Sequence, residues 1–125
     1  MINCISIFQR IHKFNMCFYI YMIYQMYDFV KIEKLPPTST KKFKVVLKNL
    51  STNRTKTIQF GANGYQNYTS GHLDEQRRKN YIARHKVRED WGITGITTAG
   101  FWSYHYLWKY KTFTEALKKI KEEFF

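Results

Sequence analysis

From Phe43 onward the apolar residues fall into two periods, and the change between them divides the chain into strands and helices. In FKVVLKNL (43–50), Phe43, Val45 and Leu47 share one face while Lys44, Val46 and Lys48 share the other, the two-residue period of a strand. The polar run Ser51 to Arg54 supplies a turn, and TKTIQF (55–60) repeats the alternation with Lys56, Ile58 and Phe60 on one side. The pair predicts a β-hairpin, which alone is marginal in water and needs its apolar face covered from downstream. Asn63-Gly64 is a strong turn signal, after which Tyr65–Thr69 predicts a short extended segment that folds Tyr65 and Tyr68 onto the core.

The period then lengthens. Glu75 to Trp91 contains neither Gly nor Pro and predicts a helix, with Ser70 or Asp74 as N-cap, Glu75 in its first turn and Gly92 as its stop. Phe101, Tyr104, His105 and Trp108 stand at the i, i+3, i+4, i+7 spacing of a buried helical face. Thr112 with Glu115 fits a capping box, and Phe113, Ala116, Leu117, Ile120 and Phe124 form an amphipathic stripe edged by lysines and glutamates. The expected fold is α+β: an N-terminal β-hairpin packed against about three helices, preceded by a separate apolar segment.

That segment, residues 1–30, has its longest uncharged run from Phe14 to Tyr27, shorter than the ~20 residues a spanning helix needs. Arg10 and Lys13 precede it as in a signal anchor, but no small-residue cleavage site follows. Three readings stay open: a membrane-surface helix, a partner-binding helix, or an extension ahead of a later start at Met16, Met22 or Met26. KIEKLPPTSTKK (31–42) reads as a linker, because Pro36-Pro37 stops a helix and the threonines and serine are turn-like. The division is therefore an apolar extension (1–30), a linker (31–42) and a small basic domain (43–125).

Charge changes the picture most. The formal net charge is +12, which favours polyanionic partners: nucleic acid, an anionic membrane or an acidic protein. A competing source is codon composition, since Lys, Asn, Ile, Phe and Tyr make up 54 of 125 residues, as in an AT-rich genome. The cysteines, Cys4 and Cys17, both precede the expected domain, so they offer it neither a disulfide framework nor a cysteine zinc site. Sequons at Asn49, Asn53 and Asn67 carry weight only in a secreted chain, and secretion is not expected.

The candidate chemistry is basic. Arg77, Arg78, Lys79, Arg84, Lys86 and Arg88 place six positive charges in twelve residues of the predicted helix, spread over two faces. Such a helix contacts phosphates, or is an ordinary solvated surface. Lys44, Lys48, Arg54 and Lys56 extend the footprint onto the hairpin. Exposed Tyr65, Tyr68 or Trp102 would stack on the bases of a single strand; buried, they are core. His85 and Glu89 lie one helical turn apart, a spacing that serves a shared metal, a base with its orienting carboxylate, or a plain internal hydrogen bond; His72 is the nearest further imidazole in sequence. No phosphate-cradling glycine loop, dinucleotide fingerprint or nucleophile elbow is present in the sequence. The reading is a non-enzymatic nucleic-acid-binding protein with no cofactor and no metal. The alternatives are a virion-associated structural or interaction protein, contacting other viral proteins or a membrane through its N-terminal segment, and a metal-dependent nuclease.

An ordered set of motifs carries a resemblance. Phe60-Gly61…Gly64-Tyr65…Tyr68-Thr69…His72, then Arg77-Arg78-Lys79…Tyr81-Ile82…Arg84-His85…Glu89…Trp91, then Thr98-Ala99-Gly100-Phe101-Trp102-Ser103…Leu107-Trp108 resembles a family of short, basic, uncharacterised proteins encoded by large nucleocytoplasmic DNA viruses. The likeness covers about Lys42 to Ile120. It implies a viral protein in the cytoplasm of an infected cell, at the viral factory, or in the virion, and brings no assigned activity. The chain departs from that pattern at Asn67, where an acidic residue is usual, and at Lys111 or Thr112, where a proline often precedes the last helix.

Overall fold

The computed structural model describes residues 26–125; the apolar extension up to residue 25 lies outside them. Three antiparallel strands, β1 (Tyr27–Lys34), β2 (Lys41–Asn49) and β3 (Thr55–Ala62), pair in the order β1-β2-β3. In the central register Val45 lies between Ile32 on one side and Ile58 on the other, and Phe43 opposes Phe60. The expected alternation holds, since Phe43, Val45, Leu47, Ile58 and Phe60 are all buried on one face.

Strand β1 corrects the linker assigned to residues 31–42. Phe29 and Ile32, which pack on the core, are three apart, which breaks a strict two-residue period. A register shift between Phe29 and Lys31 absorbs the extra residue, so both side chains reach the same core. On the opposite face Glu33 pairs across the strands with Lys44 at 3.0 Å and along its own strand with Lys31 at 3.4 Å. Pro36 and Pro37 sit in the β1–β2 turn, closed by Leu35 N–H to the Lys42 carbonyl (2.7 Å) and Ser39 N–H to the Pro36 carbonyl (2.9 Å). The folded unit therefore includes Tyr27, and no boundary falls between β1 and β2.

After β3 the chain passes through an irregular turn at Tyr68–His72, where Ser70 and then Leu73 take positive φ of 50° and 54°. Tyr68 is buried as expected, but Tyr65 is not: it is 74% exposed. Helix α1 (Glu75–His85) is capped by the Asp74 carboxylate, which accepts from the backbone N–H of Gln76 (2.9 Å) and Arg77 (3.2 Å). It ends at His85, well before the expected Trp91. Beyond His85 the chain turns back so that Trp91 stacks on Tyr104 at 3.8 Å and 10°, leaving Val87 exposed on the turn. Tertiary stacking outweighs the helical propensity of residues 86–91.

A single 3₁₀ turn (Ile93–Gly95) leads to α2 (Ala99–Trp102), whose N-cap Thr98 accepts from Phe101 N–H, and which continues as a π-helical stretch, Ser103–Trp108. The wider turn buries Trp102 and Leu107, five apart, along with Phe101, His105 and Tyr106. Trp102 is wholly buried, its indole N–H donating to the Ile96 carbonyl (2.7 Å). Helix α3 (Phe113–Phe124), capped by Thr112, buries Ala116, Ile120 and Phe124 as its stripe predicts. These helical segments cover one face of the sheet. Phe60 sits at the centre of the core with Phe43, Trp102 and Tyr106 within 6.3 Å, ring centre to ring centre, and each buried ring of this kind contributes about 2 kcal/mol.

Candidate nucleic-acid interface

The ten basic residues singled out in the sequence do not form one surface. Lys44 and Lys48 project from the uncovered face of the sheet, where Lys44 pairs with Glu33 and Lys48 stands opposite Asp28. Arg54 and Lys56 are exposed at the far end of the β2–β3 hairpin. On α1 the two adjacent arginines part company. Arg78 turns inward: its Nε donates to the Trp108 carbonyl (2.9 Å), Nη2 reaches the Lys109 carbonyl (3.4 Å), Nη1 lies 3.6 Å from Glu75, and the guanidinium lies over the Tyr68 ring at 5.5 Å. It fastens α1 to the end of the π-helical stretch. Lys86 and Arg88 fall beyond the end of α1, so the basic helix expected over 77–88 is shorter than its charges. Lys79 is exposed on α1 away from the cleft described next.

Arg77 and Arg84, two helical turns apart, share a face of α1 and line a cleft of about 460 Å³ between that helix, the end of β3 and the loop after it. Its opposite wall carries Lys42, at the end of the stretch that the sequence pattern marks as a linker. The Lys42 ammonium donates to Asn67 Oδ1 (2.9 Å) and to the Tyr65 carbonyl. Partial burial lowers its pKa, and the charge of Lys34 acts the same way. Arg77 donates from Nη1 to Gln66 Oε1 at 3.1 Å. The floor is a stack of rings, with Tyr81 4.3 Å from Trp108 at 4° and 4.1 Å from His85 at 18°. Burial, followed by the charge of Glu89, raises the Tyr81 phenol well above its usual range, so it stays a neutral hydroxyl.

The His85–Glu89 spacing does bring the pair together, with Nδ1 2.9 Å from Glu89 Oε2. Trp91 Nε1 donates to the other carboxylate oxygen (3.1 Å), which fixes Glu89 between imidazole and indole. With Nδ1 so engaged, His85 Nε2 has no protein partner among the described residues, and the ring lines the cleft. Among the described residues no three His, Cys, Asp or Glu side chains converge as metal ligands. His72 does not join the pair. Its Nδ1 accepts from Asp74 N–H (2.9 Å), its Nε2 is buried, and burial followed by the charge of Arg77 lowers its pKa.

A second cleft, of about 550 Å³, lies on the far side of the loop and adds Lys34 and His72; it shares Lys42, Tyr65, Gln66 and Asn67 with the first. The two clefts thus share one wall, the loop that carries Tyr65. Among the described residues no Asp or Glu lines either part, whereas Lys34, Lys42, Arg77 and Arg84 all do. The arrangement suits an extended anion. The sequence signals for it were present but scattered: Lys34 and Lys42 flank a proline turn, and Arg77 and Arg84 are seven residues apart.

Comparison with known proteins gives a likeness without a function. No curated protein and no solved structure matches the chain. Residues 30–85 are similar to a family of unknown function (DUF5754), a stretch that runs from within β1 to the end of α1 and contains Lys34, Lys42, Tyr65, Arg77 and Arg84.

Proposed function

We propose that the chain binds nucleic acid through the paired clefts, mainly by contacts to phosphates and without covalent chemistry. The observation that carries this reading is the composition of the concave wall: four cations and, among the described residues, no carboxylate. On the uncovered sheet face, by contrast, Lys44 is already matched by Glu33. A wall of unmatched cations in a chain of net charge +12 gains most from a polyanion, whose condensed counterions are released on binding. In the viral setting that the resemblance implies, such a protein is an accessory factor at the genome or its transcripts, in the host cytoplasm or in the virion.

Binding measured between ~50 and ~200 mM salt tests it. Log affinity should fall linearly with log salt, and the Arg77→Gln, Arg84→Gln double variant should flatten the slope by about 2 and weaken binding at least tenfold at low salt. Lys44→Gln should leave both nearly unchanged. Absence of binding at ~50 mM salt, or a double variant with the parent slope, rejects the proposal.

A further inference from the structure

We infer that the occupant of the paired clefts is a single strand, crossing Tyr65 with one base stacked on its ring. The inference rests on the nucleic-acid reading above and adds the form of the ligand. Tyr65 is the most exposed aromatic residue among the described ones, at 74%, and its ring packs on no other ring there. Tyr68 and Trp102, the other two candidates for stacking, are buried in the core.

The loop that carries Tyr65 is held at both ends. Before it, the Asn63 amide donates to the Pro37 and Ser39 carbonyls (2.9 Å each), and the Asn63 N–H donates to the Thr40 carbonyl (2.9 Å). After it, Asn67 accepts from Lys42 and donates to the Thr69 carbonyl (2.5 Å). Lys42 also bonds the Tyr65 carbonyl itself. The ring therefore stands in water on an anchored support, at the seam shared by the two clefts, with Arg77 and Arg84 on one side and Lys34 on the other. Exposed aromatic rings between cationic walls are what a single strand uses, its bases stacking while its phosphates follow the charge.

The same geometry disfavours a duplex. Duplex readers present a convex helix or ribbon to the major groove. Here the two cleft arginines of α1 face a concavity, Arg78 is tied inward, and Lys86 and Arg88 lie past the helix end. A flexible strand can enter the concavity; a stiff double helix meets only its rim.

The test uses the full chain and fluorescence anisotropy at ~50 mM salt with mixed-sequence single-stranded RNA, single-stranded DNA and the matching duplex, each of about 12 units. Single strands should bind at least tenfold more tightly than the duplex, and the RNA and DNA arms identify the sugar. Tyr65→Ala should weaken single-strand binding roughly five- to a hundredfold with an unchanged salt slope, while Tyr65→Trp and Tyr65→Phe retain it. Since Tyr65 is exposed, the variants should melt like the parent. Equal or tighter duplex binding overturns the single-strand inference and leaves the phosphate reading standing. Single-strand binding indifferent to Tyr65→Ala overturns the stacking position, and binding to none of the probes overturns both readings.

Discussion

Arg77 and Arg78 are neighbours of the same type, yet one lines the cleft and the other is bonded to two backbone carbonyls. Their difference is one step of 100° around a helix, and the carbonyls of Trp108 and Lys109 receive the arginine that turns inward. The position of those carbonyls was not legible in the sequence, because it depends on a π-helical stretch that shifts the face of residues 103–108. His105 was legible as a buried position, and its chemistry follows from burial. Nε2 lies 2.8 Å from the Trp91 carbonyl and so carries the proton, while Nδ1 is buried without a partner among the described residues. Burial lowers its pKa from the usual 6.5 to about 4, with the carbonyl pulling weakly the other way. The native imidazole therefore stays neutral while the unfolded chain takes up a proton below pH ~6.5, so stability falls with pH through this window and levels off below about 4. Between pH 7.5 and 5 the loss from this group should be about 2 kcal/mol. Urea unfolding of the parent and of His105→Gln should show a shallower pH dependence in the variant by that amount; parallel curves would contradict it.

At the scale of elements, the hairpin, the terminal helix and its Thr112 cap follow directly from local pattern. What the pattern missed was β1, and the reason is specific. A bulge puts Phe29 and Ile32 out of a two-residue period, and Pro36-Pro37 with the Thr38–Thr40 run makes the turn after the strand read as a linker. The strand's pairing partner is β2, which a local reading cannot supply. The consequence is testable by truncation. A chain that begins at Lys41 keeps the hairpin and all helices but loses β1, leaving one edge of β2 unpaired and uncovering the core where Phe29 and Ile32 pack. Losing two half-buried apolar side chains alone costs about 2–3 kcal/mol, before the lost ladder is counted. Such a chain should melt at least 8 °C lower, exchange its β2 amides faster and associate through the open edge. A melting temperature equal to that of the full chain would show that β1 adds nothing to the fold. The truncation also removes Lys34 and its part of the second cleft, so weakened binding by such a chain has two causes that the Arg77 and Arg84 variants separate.

For the whole molecule, one electrostatic fact governs both stability and binding, with opposite signs in salt. A net charge of +12 on 125 residues repels itself, and in the clefts the charge of Lys34 adds to the burial that lowers the Lys42 pKa, as the charge of Arg77 does at His72. These cations crowd the same concave wall, so the fold holds them together at a cost that a bound polyanion relieves. Raising salt from about 20 to 300 mM screens that repulsion, because the Debye length shrinks from roughly 20 Å to below 10 Å. The free protein should therefore melt several degrees higher in the higher salt. Addition of a single-stranded oligonucleotide should raise the melting temperature strongly at 20 mM, as expected for a ligand that binds only the folded state, and hardly at all at ~300 mM. The two curves should converge as salt rises. In the Arg77→Gln, Arg84→Gln variant the free protein should gain less from salt and the complex less from the oligonucleotide, since both effects draw on the same cations. Thermal melts across this range decide the matter: a free protein insensitive to salt, or an oligonucleotide effect that persists undiminished at ~300 mM, would mean that the concave wall is not where the charge of this chain is felt.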